Sequence, residues 1–460
     1  MSYEKRSRGY QLFRYYIWFV DRMIHRRVVV LGRENIPQGK PIVFAPNHQN
    51  ALSDPMAVLL NVSHQPVWLA RADIFGKNRI IDAILRFLKI MPVYRMRDGI
   101  DSLGRNDETF KKSVQVLENN GALALFPEAM HTFKRQIREH KKAIPRIVFM
   151  ALEQSGGQLD IQIVPTGIYY SHYWKFHRSL IVNFGKPISV KSYYDEYLND
   201  PQSAMKKLRL ALQDASRQLT VNIESTEYYD EFELVRELYG GTHHEGRLSE
   251  SSNSTDEKLS KEFKGKTSGR MLSDMKLTGR LDKFEREHPD EAADLVKELR
   301  GFNNLLHINK LNNLAINTKP GILCLLARIL GLAAGLPVFL YGLIFNALPY
   351  FGIDLLVKSK IKDQAFWSSV SYVLTIIVFP LFYILELWAV SPWVHGWWRL
   401  LFLISLPFAG KLAYYWYSGL IITCNLVKLY ITRKFKRSVW KEINRKKEEL
   451  FAKLDNLILK

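Results

Sequence analysis

The chain has 460 residues, with 65 Lys and Arg against 45 Asp and Glu, a formal charge of +20 and a pI near 9.6. At 47% hydrophobic it is no disordered basic tail, and so positive a balance points to acidic partners: nucleic acid, anionic lipid or phosphorylated substrates. Its two cysteines, Cys324 and Cys424, lie in apolar stretches, which excludes a disulfide framework and a cysteine-rich zinc site.

An aromatic stretch at 10–24 is flanked by Lys and Arg and broken by Arg14 and Asp21. It is too short and too charged to span a bilayer. Residues 1–27 therefore read as an interfacial amphipathic helix, or as a helix packed on the domain itself. No cleavage signature follows, so the bulk of the chain is expected in the cytosol.

A strand is predicted at 28–31, then a turn-rich connection, then a buried strand at 41–46. Next comes Asn47-His48-Gln49-Asn50-Ala51-Leu52-Ser53-Asp54-Pro55, ahead of the helix start Met56-Ala57-Val58-Leu59-Leu60. His48 and Asp54 thus sit at the mouth of a strand-loop-helix unit, where open α/β sheets keep their chemistry. A histidine accepts a proton from an attacking hydroxyl near neutral pH, and an aspartate holds its tautomer. The same residues fit a plainer reading, with Asp54 a helix cap before Pro55 and His48 a hydrogen-bonded loop histidine.

Further strands are predicted at 66–70, followed by Arg71; at 90–95, delivering Arg95; at 122–126, ending in Pro127-Glu128; at 161–165; and at 180–184. Helical spacing falls at 80–88, 108–119 and 144–154, and, behind the cap signature Asp200-Pro201, from Met205 through Leu219. Strands alternating with helices predict an α/β domain over 28–225, a mainly parallel sheet flanked by helices.

Residues 226–318 read as a polar, partly helical connecting segment, with Pro289 as an interruption. The pair His243-His244 has no supporting ligands, and no metal site is expected. Residues 319–430 read as an α-helical membrane region with apolar runs at 329–350, 370–390 and 400–430, and tryptophans near their ends decide for the membrane over nucleic acid. Residues 431–460 form a basic tail suited to anionic lipid. The positive-inside rule puts Lys358, Lys360, Lys362 and the tail in the cytosol and 391–398 outside. That layout requires 370–390 and 400–430 to cross. Run 329–350, with Pro337, Asn346 and Pro349, then enters and returns or lies in the interface; the alternative is a three-span layout in which it crosses and the basic tail lies outside.

Four stretches in this order resemble the glycerolipid acyltransferase superfamily: Asn47-His48 through Asp54; Met91-Pro92-Val93-Tyr94-Arg95; Leu125-Phe126-Pro127-Glu128; and Ile163-Val164-Pro165-Thr166-Gly167-Ile168. The family commonly has four residues between His and Asp. The five here, with Pro55 following, resemble the fungal-type glycerol-3-phosphate/dihydroxyacetone-phosphate branch. A second departure is Ala129-Met130-His131-Thr132, where the family continues with Gly after Phe-Pro-Glu.

The resemblance implies transfer of an acyl group from acyl-CoA or acyl-carrier protein to a hydroxyl of glycerol-3-phosphate, dihydroxyacetone phosphate or 1-acylglycerol-3-phosphate, with no cofactor. It makes His48 the general base and Asp54 its orienter. Arg95 and Arg71 are phosphate ligands in this reading, although Arg71 also suits a surface ion pair with Asp73. Glu128 orders the acceptor's hydroxyls or the loop, or is simply a buried carboxylate tied to backbone amides. With the glycine absent, a phosphate contact in the third stretch falls to His131, Lys134 or Arg135. Competing readings are acylation of another lipid headgroup or amino-acid lipid, and a silent membrane scaffold. The expected setting is an integral membrane protein with a cytosolic catalytic domain, in the cytoplasmic membrane if bacterial.

Overall fold

The computed structural model describes residues 7–76, 78–94, 104–173, 177–240, 266–313, 315–362 and 364–459. They divide into two compact units, Met1–Asn222 and Ile223–Lys460.

The first unit opens with α1 (Arg8–Ile24) and β1 (Arg27–Leu31). It continues through β2 (Ile42–Pro46), α2 (Ser53–Leu59), β3 (Val67–Arg71), α3 (Arg79–Phe87), β4 (Ile90–Val93), α4 (Arg105–Glu118) and β5 (Ala122–Ala124). After these come α5 (Ala143–Gln154), β6 (Gln162–Tyr170), β7 (Ser179–Phe184), β8 (Ile188–Ser189), α6 (Tyr194–Asn199) and α7 (Pro201–Arg217). The sheet order is β1-β7-β6-β2-β5-β3-β4, with β8 on β6. Strands β6, β2, β5, β3 and β4 are mutually parallel; β7 runs antiparallel to β6, and β1 parallel to β7.

The central strands are nearly continuous apolar runs because both faces are covered. Side chains alternate across the pleat. Val43 and Ala45 join Phe110, Val114, Leu117, Ile147, Leu208 and Leu212 of α4, α5 and α7 in one core layer. Ile42 and Phe44 join Ala57, Val58, Val164, Val182 and Phe184 on the other face. Helix α7 starts as its cap signature predicts: the Asp200 side chain accepts from the Gln202 and Ser203 amides, with Pro201 in the first turn. Helix α1 buries Tyr10, Ile17, Val20 and Ile24 and leaves Leu12, Tyr15 and Trp18 exposed, so it is packed on the domain and still presents an aromatic outer face.

In the second unit, α8 (Tyr229–Leu238), α9 (Lys266–Glu287) and α10 (Pro289–Ile308) share a core with α14 (Arg437–Leu459), built on Phe232, Leu281, Leu299, Phe302, Ile443, Leu450 and Phe451. One core therefore joins the stretch read as a polar connector to the basic tail. Between them run α11 (Ile322–Lys360), α12 (Trp367–Val390) and α13 (Trp397–Phe435). Among the described residues, α11 and α12 are long and apolar enough to cross a membrane.

The bent path expected for 329–350 does not form, since that run lies inside one unbroken helix of 39 residues. Packing against α13 explains why Pro337 and Pro349 do not break it. Gly342 lets the Ala409 backbone approach, and Asn346 donates to the Gly342 and Leu406 carbonyls and accepts from the Tyr383 hydroxyl. Helix α13, with Lys411 in its interior, does not meet the spanning criterion that α11 and α12 meet.

Candidate active site

Strand β2 lies between β6 and β5, so the loop that leaves it emerges among the C-terminal ends of parallel strands. That edge is where such sheets place their sites. Asn47 anchors the loop to β6: its side chain donates to the Ile168 carbonyl at 3.2 Å and accepts from the Ile168 amide at 2.6 Å. Tyr173 holds the next turn, with its hydroxyl donating to Gln49 Oε1 and its carbonyl accepting from Asn50 Nδ2.

His48 Nδ1 lies 3.0 Å from Asp54 Oδ2. The same oxygen accepts from the Gln49 amide at 2.7 Å and the Asn50 amide at 2.6 Å. The Asp54 side chain is wholly buried, whereas 14% of the His48 side chain is exposed. A carboxylate so placed fixes the imidazole with its proton on Nδ1, leaving the Nε2 lone pair to take a proton. The helix-cap alternative does not hold. Helix α2 begins at Ser53, so Asp54 lies inside it and caps the amides of the preceding loop. Phe126 stacks on His48 with ring centroids 3.8 Å apart, and the His131 ring lies 5.1 Å away.

Glu128 has its two oxygens engaged by backbone, Oε1 by the His48 amide at 3.0 Å and Oε2 by the Arg138 amide at 3.2 Å. It is 2% exposed. Burial pushes its carboxyl up to about 8, against the pull of those two N–H donors, and the Asp54 charge adds to the rise. These two contacts make Glu128 a brace across the two loops.

The remaining expectations separate. Arg71, at the end of β3, is exposed and bonded to Asp73, the surface ion pair that was its alternative. Arg95 lies outside the described residues. Lys134 is exposed on the loop after β5. Arg135 is not available for phosphate: it is 2% exposed, donates to the Tyr170 and Ser171 carbonyls, and lies over the rings of Tyr169 and Tyr173. His131 is the member of that group whose ring lies beside His48. Ala129, where the family has glycine, carries a left-handed φ of 59°, the backbone region glycine favours.

Sequence reasoning passed over Asn47, Gln49, Asn50, Phe126 and Tyr173. A run of Asn and Gln around a catalytic candidate is a signal for loop bracing. Nothing local marks Tyr173, which reaches Gln49 from 124 positions away.

Residues 27–169 match a family model described as acyltransferase. A curated relative from Saccharomyces cerevisiae, glycerol-3-phosphate O-acyltransferase 2, is 24% identical over 135 residues, which are 29% of this chain and 18% of the relative. The chain thus spans under a fifth of that relative's length. A crystal structure of the 1-acyl-sn-glycerophosphate acyltransferase PlsC from Thermotoga maritima overlaps 45% of this chain and 85% of its own at 16% identity, with a TM-score of 0.30. The domain that carries His48 and Asp54 is a member of the acyltransferase family.

Proposed function

We propose that this protein is a membrane-bound O-acyltransferase of glycerolipid synthesis, with His48 as general base and Asp54 as its orienter. The observation that carries the reading is the 3.0 Å contact between His48 Nδ1 and the buried Asp54 Oδ2, with the imidazole itself partly exposed. The acceptor hydroxyl gives its proton to His48 Nε2 as its oxygen attacks the thioester carbonyl. The tetrahedral intermediate expels the thiolate, which takes the proton back from His48. The thioester is already activated, so no acyl-enzyme is needed.

The donor is acyl-CoA or acyl-carrier protein. The acceptor is a phosphorylated glycerol-type molecule, a class that the similarity to the yeast glycerol-3-phosphate O-acyltransferase supports. Arg95 and His131 are the proposed phosphate contacts, Arg95 because a guanidinium fork can hold two phosphate oxygens. The altered third stretch favours a second reading, an acceptor with a different headgroup, because that loop faces the base through His131. We also propose that α11 to α13 hold the chain in the bilayer, with the catalytic unit and the basic tail on the cytosolic face.

The test is thioester-dependent release of free thiol by purified protein, with glycerol-3-phosphate, dihydroxyacetone phosphate, 1-acylglycerol-3-phosphate and amino-acid lipids added in turn. The expected result is turnover with one phosphorylated acceptor, falling at least about 10³-fold in His48→Ala. Thiol release that no acceptor stimulates, or that a folded His48→Ala protein retains, overturns the reading.

A further inference from the structure

Asp54 is a fully buried carboxylate, and a buried charge is strongly unfavourable unless it is paired. One of its oxygens is satisfied by His48, Gln49 and Asn50. The other, Oδ1, makes no well-formed hydrogen bond among the described residues and neither does the Tyr170 hydroxyl, yet the two side chains approach closely enough that a contact to Asp54 is one cause of the phenol's rise. Burial, with Asp54 next in order, holds that phenol well above its ordinary range, while Arg178 pulls the other way. Asp54 and Arg178 therefore bear on the same buried ring.

Arg178 lies beyond the residues that match the family model. Its side chain is 4% exposed. The guanidinium lies 4.6 Å over the Tyr170 ring. Nη2 donates to Ser53 Oγ at 2.9 Å, one residue before Asp54, and Nη1 donates to the Tyr173 carbonyl, which Asn50 Nδ2 also contacts. Nε reaches His25 Nε2 at 3.4 Å. His25 Nδ1 then faces Asp21 at 3.1 Å, and both of those residues are buried at the end of α1. A guanidinium that donates to Nε2 requires the His25 proton on Nδ1, where Asp21 accepts it.

We propose that Arg178 is a positioning residue of the catalytic pair: its guanidinium is the counter-charge behind Asp54, and it ties the His48 loop to the end of α1 through His25 and Asp21. The role deepens the reading of His48 and Asp54 as catalytic. It differs from that of a core arginine because it acts through Asp54, and this makes the two residues energetically coupled.

Two double-variant cycles on the full-length protein test this. The first reads thermal unfolding of Arg178→Gln, Asp54→Asn and the double variant in detergent, without substrate. Arg178→Gln strands a buried carboxylate and lowers the melting temperature by roughly 10 °C; neutralising Asp54 as well recovers at least about half of that fall. If the two falls simply add, the proposal is overturned. Should the single Arg178→Gln chain not fold, the double variant decides: a cooperative transition supports the coupling, and continued failure to fold overturns it.

The second cycle reads turnover with the acceptor found above. Arg178→Gln lowers kcat by about 10²-fold with KM within about threefold, Arg178→Lys returns to within about tenfold of the parent, and Arg178→Gln adds less than about threefold to Asp54→Asn. Losses that multiply, or a rise in KM alone, give Arg178 a merely structural role. The thermal cycle needs no acceptor, so a wrong assignment of the reaction and a wrong assignment of Arg178 give different results.

Discussion

The loop after β2 and the loop after β5 meet at His48, and they are built differently. In the first, Asn47, Gln49 and Asn50 are at most 1% exposed, and their side chains bond to Ile168 or Tyr173. Its one left-handed residue, Ala51, is itself buried. The second loop is fixed at Glu128 and Arg135 but exposes Ala129, Met130 and Lys134 between them, and it carries left-handed backbone at Ala129 and Phe133. A loop tied to β6 and to Tyr173 through the side chains of Asn47, Gln49 and Asn50 holds His48 and Asp54 in one geometry, which proton transfer requires. A loop held at Glu128, at the Phe133 amide, which donates to the Gln49 carbonyl, and at Arg135, but exposed at Ala129, Met130 and Lys134, can change those exposed side chains without disturbing that geometry. The contrast is what the proposed function would require if the first loop carries the reaction and the second the choice of acceptor.

The strongest way to break this comparison is at Asp54. Asp54→Asn keeps the shape but no longer fixes the proton on His48 Nδ1, and turnover is expected to fall by about 10²–10⁴-fold with acceptor KM little changed. Steady-state kinetics check it; an effect confined to KM would move Asp54 to the acceptor side.

The next largest effect sits at the brace. Glu128 has a carboxyl raised to about 8 by burial, so the fold favours its protonated form. The stability this supplies is complete below the unfolded value near 4.5 and is lost as pH rises through about 8, a change on the order of 5 kcal/mol. Glu128→Gln is neutral throughout and should lack that slope. Melting temperatures from pH 5 to pH 9 decide, and parallel curves for parent and variant would remove Glu128 as the source.

On the open loop the expected effects are smaller and selective. His131→Ala should raise the acceptor KM about tenfold and leave the donor KM and the fold alone, whereas Arg71→Ala, which removes an exposed ion pair, should change either constant less than about threefold. Equal effects at His131 and Arg71 would blur the division between the loops. Smallest of all, Ala129→Gly should relieve a left-handed alanine and stabilise the unit by about 1 kcal/mol, measured by denaturant unfolding. A loss of stability there would mean that the Ala129 methyl makes a contact worth more than the strain.

Much of this was legible in the residues because the signals are local. Hydrophobic runs bounded by turn residues located β2, β5 and β7 to within about two positions, as period-2 and continuous apolar patterns allow. Asp200-Pro201 gave the start of α7 because a cap and its helix are neighbours in the chain. His48 and Asp54 were visible as a pair because they bracket a single loop.

Tertiary structure alone decided which atoms those residues meet. It turned Asp54 from a helix cap into the acceptor for His48, Gln49 and Asn50, made Glu128 a brace to an amide 80 positions away, and buried Arg135 under tyrosines. It kept α11 continuous through two prolines, with α13 packed along it. It also set Arg178 beside Ser53 across 125 positions. Periodicity and capping depend on neighbours within a few residues, so the sequence by itself determined the elements and their order. Partners so distant in the chain meet only when β6 and β7 close on β2, so the tertiary structure decided what holds the catalytic pair.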